Sequence, residues 1–114
     1  MVREVKSKES FYEELAGNRL ALIEYGAAWC PPCRVLAPIL EELEREEGSR
    51  VRVLQVDCDD QPELAGEAGV MSMPTVILYR GGQPTEKLVG LRPKAVYATL
   101  IDRYAEGAGA GEAK

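Results

Sequence analysis

Two cysteines separated by two residues, Cys30 and Cys33, are the side chains of this sequence best suited to chemistry. They lie in the segment Trp29–Arg34, which reads Trp-Cys-Pro-Pro-Cys-Arg. Residues three apart on a helix lie roughly 5 to 6 Å apart, and disulfide-bonded Cα atoms lie roughly 4.4 to 6.8 Å apart. The spacing therefore permits a bond that forms and breaks reversibly, and it predicts a redox dithiol.

The thiolate, rather than the thiol, attacks a disulfide, and an ordinary cysteine with a pKa of about 8.5 is mostly protonated at neutral pH. Cys30 is predicted to be the N-cap of a long helix, where the helix dipole favours an anion. Pro31 and Pro32 carry no N–H, so the amides of Cys33 and Arg34 are the donors left for the thiolate. We expect weaker stabilisation of the thiolate than a glycine at position 31 would allow.

Cys33 is predicted to lie one helical turn further in, where it would resolve the mixed disulfide that Cys30 forms with a substrate. Cys33 must lose a proton to do so. Glu24 lies in the apolar strand that leads into this turn, and burial would raise its pKa toward the working range of a proton acceptor. The sequence leaves open the alternative that Glu24 is an exposed carboxylate without a role.

Metal binding is not predicted, because three cysteines and no histidine provide too few ligands for a four-coordinate zinc site. The absence of histidine also excludes Cys-His and Ser-His mechanisms. Cys58 follows Asp57 and precedes Asp59 and Asp60, and these carboxylates disfavour a thiolate. An inert Cys58 is therefore expected, with a regulatory role as the open alternative.

The composition is that of one ordinary domain: 114 residues, 46% of them hydrophobic and 29% charged. No apolar run is long enough to span a bilayer. The formal net charge of -5 argues against nucleic acid or an anionic membrane surface as the main partner. Because no apolar segment follows the first basic residues, a secretory signal is not expected, and a cytoplasmic monomer is the prediction.

Alternating strand and helix patterns predict an α/β fold with the order β-α-β-α-β-α-β-β-α. The predicted strands are Val2–Val5, Leu20–Tyr25, Val51–Asp57, Thr75–Tyr79 and Thr85–Val89. The predicted helices are Ser7–Ala16, Pro31–Glu47, Glu63–Ala68 and one that begins at Pro93. Helical crossovers require parallel pairing of the early strands, and Gly81-Gly82 predicts an antiparallel hairpin at the end. Residues 1–106 are assigned to this domain and residues 107–114 to a flexible Gly/Ala-rich tail.

Two helices are expected to pack on the sheet through apolar stripes. In the helix after the dithiol, the stripe is Val35, Leu36, Ile39, Leu40 and Leu43. In the last helix, it is Val96, Leu100, Ile101 and Tyr104. These stripes predict which faces of the helices are buried.

Taken with Ala37-Pro38, Asp57, Met73-Pro74-Thr75 and Val89-Gly90, the dithiol segment resembles the thioredoxin family, over a stretch from about Val2 to Ala105. The resemblance implies the thioredoxin fold, a central mixed five-stranded sheet flanked by four helices. It also implies a cis peptide bond at Pro74 opposite the dithiol. The residues implied to line a groove for extended substrate peptides are Trp29, Pro31, Pro32, Met73, Pro74, Val89 and Gly90.

The activity implied by the resemblance is the reduction of protein disulfides, which serves cell redox homeostasis and electron transport. Electrons would come from a donor like thioredoxin reductase, and the substrates would be disulfide-containing proteins. No cofactor is implied beyond the redox-active Cys30–Cys33 disulfide. Two alternatives remain: a more oxidising disulfide exchanger or isomerase, and a non-catalytic subunit that uses the fold as a binding surface.

Four positions depart from the family pattern. Pro31-Pro32 stands where most thioredoxins have Gly-Pro, and this pair also occurs in tryparedoxin-like and nucleoredoxin-like proteins. The family's buried aspartate corresponds to Glu24, one methylene longer, and the residue two positions on, usually aromatic, is Gly26. A lysine often near the acid aligns with Val53. Without that cation, the pKa of a buried Glu24 is expected to rise further.

Overall fold

Strand β2 (Leu20–Gly26) occupies the centre of a five-stranded sheet in the computed structural model. The structure describes residues 1–112, and the side chains of residues 1–105. Across the sheet the strands follow the order β1 (Arg3–Glu4), β3 (Arg52–Asp57), β2, β4 (Thr75–Arg80) and β5 (Gln83–Val89). β3 is parallel to both β1 and β2, whereas β4 is antiparallel to β2 and β5. The predicted mixed five-stranded sheet is confirmed.

Four helices flank the sheet: α1 (Lys8–Gly17), α2 (Pro31–Glu47), α3 (Pro62–Glu67) and α4 (Lys94–Glu112). Ser7 caps α1 as predicted, because the Ser10 N–H donates to its Oγ at 3.0 Å. α2 begins with Pro31, a position where the missing N–H has no acceptor inside the helix. No helix within residues 1–112 is both long and apolar enough to cross a membrane.

The turn between β4 and β5 fixes the antiparallel pair. Gly81 and Gly82 have φ angles of 58° and 81°. Two consecutive positive φ angles are what a tight hairpin turn requires, and residues other than glycine rarely adopt them. The predicted hairpin is confirmed, and β5 begins at Gln83, two residues before the predicted start.

All seven residues of β2 are buried, as expected for a strand covered on both faces. Side chains alternate along a strand, so Leu22 and Ile23 face opposite sides of the sheet. Leu22 packs with buried residues of α2 and α4, and Ile23 packs with those of α1 and α3. Glu24 lies two residues after Leu22 and therefore faces the side covered by α2. The strand thus presents a carboxylate toward the helix that carries the cysteines.

Two apolar stripes differ in detail from the prediction. Val35 is 55% exposed, because the buried row of α2 is Cys33, Leu36, Leu40 and Leu43, and Val35 lies one position off that row. In α4 Tyr97 and Ile101 are both fully buried, whereas Val96 is half-buried. Tyr97, Leu100 and Ile101 form the stripe at helical spacing.

The ends of the chain also differ from the prediction. The first strand is confined to Arg3–Glu4, although Val2 and Val5 on either side are buried. α4 begins at Lys94 and continues to Glu112, so its backbone enters the segment predicted to be a flexible tail. Residues 113–114 lie outside the described residues. The flexibility of residues 107–114 stays a prediction.

Candidate active site

Cys30 and Cys33 form a disulfide at the start of α2, with their Cα atoms 5.2 Å apart. Cys30 is the N-cap, since its φ of -84° and ψ of 113° are extended and the helix starts with Pro31. Both cysteines are buried, with 4% and 6% of their surfaces exposed. The predicted pairing and its place at the helix start are therefore confirmed.

The helix start offers few donors to a Cys30 thiolate. The Cys30 side chain makes no capping hydrogen bond, and the next two residues are prolines. The Arg34 N–H, one of the two donors expected from the sequence, donates instead to the Cys30 carbonyl at 3.1 Å. This leaves the Cys33 amide as the remaining donor of the expected pair. The helix dipole must therefore contribute much of the stabilisation of the anion.

Glu24 is 3% exposed, so the alternative of an exposed strand-end carboxylate is wrong. Its Oε1 accepts a hydrogen bond from Gln55 Nε2 at 3.4 Å, and its Oε2 has no hydrogen-bond partner among the described residues. Burial raises the pKa of Glu24 to about 7; the Gln55 hydrogen bond opposes this rise and the nearby Asp57 adds to it. The acid can therefore gain or lose a proton near neutral pH.

Glu24 and Cys33 both lie close to Gly26. A Cβ atom at Gly26 would overlap Glu24 Oε2 and would lie 2.8 Å from Cys33 Sγ. The three residues line one cleft of about 190 Å³, which Arg34 and Asp57 also line. The carboxylate and the sulfur therefore both border the space that a single methyl group at Gly26 would occupy.

Trp29 is an exposed part of the predicted groove, with 62% of its surface accessible. Its Nε1 donates to Asp59 Oδ2 at 2.7 Å. Pro31 is exposed and Pro32 is half-buried. The indole is thus held by a hydrogen bond while much of the ring remains available to a partner.

The remaining predicted groove residues lie just before β4 and at the end of β5. Met73 packs against the small buried cluster formed by the two cysteines and Ala27. The Met73-Pro74 peptide bond is cis, as the resemblance implied. The Gly90 N–H donates to the Pro74 carbonyl at 2.8 Å, and Val89, 48% exposed, pairs with Thr75. Strand pairing therefore brings these four residues together, with Met73 against the dithiol.

Two residues of the site were missed by sequence reasoning. Gln55 pairs in register with Glu24, and its polar side chain between the apolar residues Leu54 and Val56 was the signal that could have revealed it. Asp59 was read as a neighbour of Cys58, whereas its carboxylate binds the Trp29 indole. Both contacts depend on which strands and loops become neighbours in space.

Cys58 lies beside the site but outside the dithiol. Its thiol is free and half-buried, and its N–H donates to the Gly26 carbonyl at 2.8 Å. Burial, together with the charges of Glu24, Asp57 and Asp59, raises the pKa of Cys58 to about 11. This supports the prediction of an inert thiol.

The carboxylates of Glu4, Asp57 and Asp60 form an acidic cluster at the same end of the sheet. Their oxygens can lie within 4.8 Å of one another. Asp57 Oδ1 also accepts hydrogen bonds from the amides of Asp59 and Asp60, at 2.8 and 3.2 Å. Acidic groups commonly gather in this way without a metal, so the cluster by itself does not define a cation site.

A reversible disulfide at a helix start, set between a buried acid and a cis-proline loop, places this chain in the class of thiol-disulfide oxidoreductases. The sheet order and the four flanking helices agree with that class. The family model for thioredoxin matches residues 2–103. The chain therefore belongs to the thioredoxin family.

Individual proteins agree with this assignment. The chain is 36% identical to the thioredoxin of Listeria monocytogenes over 104 residues, which cover 91% of this chain and 99% of that protein. It is 41% identical over 92 residues to the bifunctional thioredoxin reductase/thioredoxin of Mycobacterium leprae, covering 81% of this chain and 20% of that protein. A mutant thioredoxin from Halobacterium salinarum has a similar solved structure, with a TM-score of 0.86, 28% identity and 91% of each chain covered.

Proposed function

We propose that this chain reduces disulfide bonds in proteins, with Cys30 as the attacking thiol, Cys33 as the resolving thiol and Glu24 as the acceptor of the Cys33 proton. The observation that carries the proposal is the buried carboxylate of Glu24, which borders the same space at Gly26 as Cys33 Sγ and has one oxygen without a hydrogen-bond partner among the described residues. Burial holds the pKa of this acid near neutrality, at about 7. An acid with such a pKa can accept a proton and release it again under working conditions.

The exchange takes two steps. The Cys30 thiolate attacks one sulfur of the substrate disulfide, so that a mixed disulfide forms and the other substrate sulfur leaves as a thiolate. Cys33 then gives its proton to Glu24 and attacks the Cys30 sulfur. The Cys30–Cys33 bond forms as the second substrate thiolate leaves. Two electrons pass from the dithiol to the substrate, and the two protons of the dithiol go to the released thiols or to solvent.

The roles of the two cysteines follow from their positions rather than from their burial, which is nearly the same. Cys30 is the N-cap and follows the exposed Trp29, so an incoming disulfide reaches it first. Cys33 lies inside the first turn, and its sulfur borders the same space at Gly26 as the Glu24 carboxylate. We therefore assign the attack to the thiol at the N-cap and the resolving step to the thiol beside the acid.

The groove residues are proposed to hold an extended segment of the substrate protein. They are Trp29, Pro31, Pro32, Met73, Pro74, Val89 and Gly90. Main-chain pairing along such a groove tolerates varied side chains, which suits many substrates.

A donor like thioredoxin reductase is the proposed source of electrons. Support for it comes from the Mycobacterium leprae relative, whose name joins the two activities in one protein. We propose that the chain acts as a cytoplasmic monomer, with the Cys30–Cys33 pair as its redox group and no further cofactor. The net charge of -5 argues against a nucleic-acid partner.

Insulin reduction with dithiothreitol as electron donor tests the proposal. The wild type is expected to accelerate the reaction well above the uncatalysed background, and Cys30→Ser is expected to fall to that background. Cys58→Ser is the matched control and should keep full activity. Full activity in Cys30→Ser would refute the role of Cys30, and a wild type at background would favour a non-catalytic binding subunit.

A further inference from the structure

Gly26 closes β2 at the point where the sheet meets the dithiol. Its φ angle is not among the positive ones, so the backbone does not require glycine there. A Cβ atom at this position would overlap Glu24 Oε2, and it would lie 3.1 Å from Glu24 Cδ and 2.8 Å from Cys33 Sγ. The reason for a glycine at position 26 is therefore space, and both the acid and the sulfur border that space.

The two oxygens of Glu24 have different surroundings. Oε1 accepts the Gln55 hydrogen bond, which fixes one side of the carboxyl group. Oε2 is buried without a partner among the described residues. Buried carboxylate oxygens normally have a hydrogen-bond donor, because an unpartnered one costs free energy. A reduced Cys33 carries an S–H beside the same space at Gly26, so it can supply that donor when the disulfide opens.

We propose that Gly26 is a positioning residue for the resolving step, because its missing side chain lets the Glu24 carboxylate approach the Cys33 sulfur directly. The proposal rests on the proposed role of Glu24 as proton acceptor. The proton moves from Cys33 Sγ to Glu24 Oε2 and later to solvent, and the electrons of the exchange are unaffected. The Glu24 side chain is long enough to reach the space beside Gly26, and the missing side chain of Gly26 leaves that space free.

A symmetrical aryl disulfide with a coloured thiolate product separates the two steps in a stopped-flow experiment. The first thiolate is released when Cys30 attacks, and the second is released when Cys33 resolves. The protein carries Cys58→Ser in all variants, so that the dithiol supplies both thiols. The measurements are the two release rates and their dependence on pH.

Gly26→Ala is expected to slow the second release by about tenfold or more, because a displaced catalytic group loses much of its effect, and to leave the first release nearly unchanged. The pH midpoint of the second release should move up toward that of an unassisted thiol. Gly17→Ala is the matched control, since a Cβ there meets nothing within 4 Å, and it should change neither rate.

Glu24→Ala separates failure of this inference from failure of the proposed function. An unchanged second release in Glu24→Ala would overturn the role of Glu24 itself. If Glu24→Ala slows that release but Gly26→Ala does not, the role of Glu24 stands and the positioning role of Gly26 is refuted. In the double variant, the methyl group should add little to the Glu24→Ala effect. If Gly26→Ala slows the second release as much in the Glu24→Ala protein as it does in the presence of Glu24, the methyl group acts on Cys33 or on the fold. That result would also refute the inference.

Glu24→Asp tests the same contact without adding a methyl group, and it serves if Gly26→Ala does not fold. Removing one methylene draws the carboxylate back from Cys33 while Gly26 is kept. The second release is expected to slow severalfold and the first to stay the same. An unchanged second release would show that direct approach of the carboxylate is not needed.

Discussion

Replacing Glu24 with Gln should change how the stability of the oxidised protein depends on pH. The folded protein holds this carboxyl group at 3% exposure, and burial raises its pKa from 4.5 to about 7. Gln has nearly the same shape and keeps an oxygen that can accept the Gln55 hydrogen bond. The substitution therefore removes the titration with little change in volume.

The sign follows from proton binding in the two states. Below the unfolded pKa of 4.5, Glu24 is protonated whether the chain is folded or not. Between 4.5 and about 7, the unfolded chain loses the proton while the folded protein keeps it, so the free energy of unfolding falls as the pH rises. Above the pKa of the folded protein, the free energy of unfolding has fallen by its full amount. A shift of this size corresponds to about 3 kcal/mol, because each pKa unit is worth about 1.36 kcal/mol.

Urea unfolding of both oxidised proteins from about pH 4 to pH 8.5 measures this effect, since that range brackets both pKa values. The free-energy difference, Glu24→Gln minus wild type, should grow by about 3 kcal/mol across the range, with most of the change between the two pKa values. Groups that do not interact with Glu24 titrate equally in both proteins, so they cancel in the difference. A difference that stays constant with pH would refute the conclusion that Glu24 is a buried acid with a raised pKa.

Pro31→Gly restores an amide beside Cys30 and should lower the pKa of its thiol in the reduced protein; an unchanged or higher midpoint in an ultraviolet thiolate titration would contradict this. Asp59→Ala removes the acceptor of the Trp29 indole and should lower kcat/KM for insulin severalfold with little change in the unfolding midpoint; equal kcat/KM values would exclude a role for this hydrogen bond. The pKa of Cys58 is raised from 9.0 to about 11, so its alkylation at neutral pH should be on the order of 100-fold slower in the folded protein than in denaturant. Equal alkylation rates would be inconsistent with the burial of this thiol.

Local patterns were enough to predict the elements that position the site. The Cys-x-x-Cys spacing and the proline at position 31 predicted a helix start at the dithiol, and the Gly81-Gly82 pair predicted the antiparallel hairpin. Each of these features is determined by residues close together in the sequence. The cis peptide at Pro74 could not be derived from spacing and was predicted through the family resemblance.

Features that depend on packing between distant segments were harder to predict. The Gln55 contact with Glu24 requires the register of β2 against β3, and the Asp59 contact with Trp29 requires the path of a loop. Val35 belongs to an apolar run, but the rotation of α2 on the sheet leaves it exposed. The role proposed for Gly26, which is to leave space beside two side chains, becomes visible only when both side chains are in place.

The reduction potential of the Cys30–Cys33 pair tests the central claim most directly. The oxidised protein would be equilibrated against defined ratios of reduced and oxidised dithiothreitol and glutathione, with free thiols trapped and counted, in a Cys58→Ser background. A protein-disulfide reductase requires a potential well below that of the glutathione couple, and this is the predicted result. A potential at or above that couple would contradict the reductase role and would favour an oxidising exchanger or isomerase.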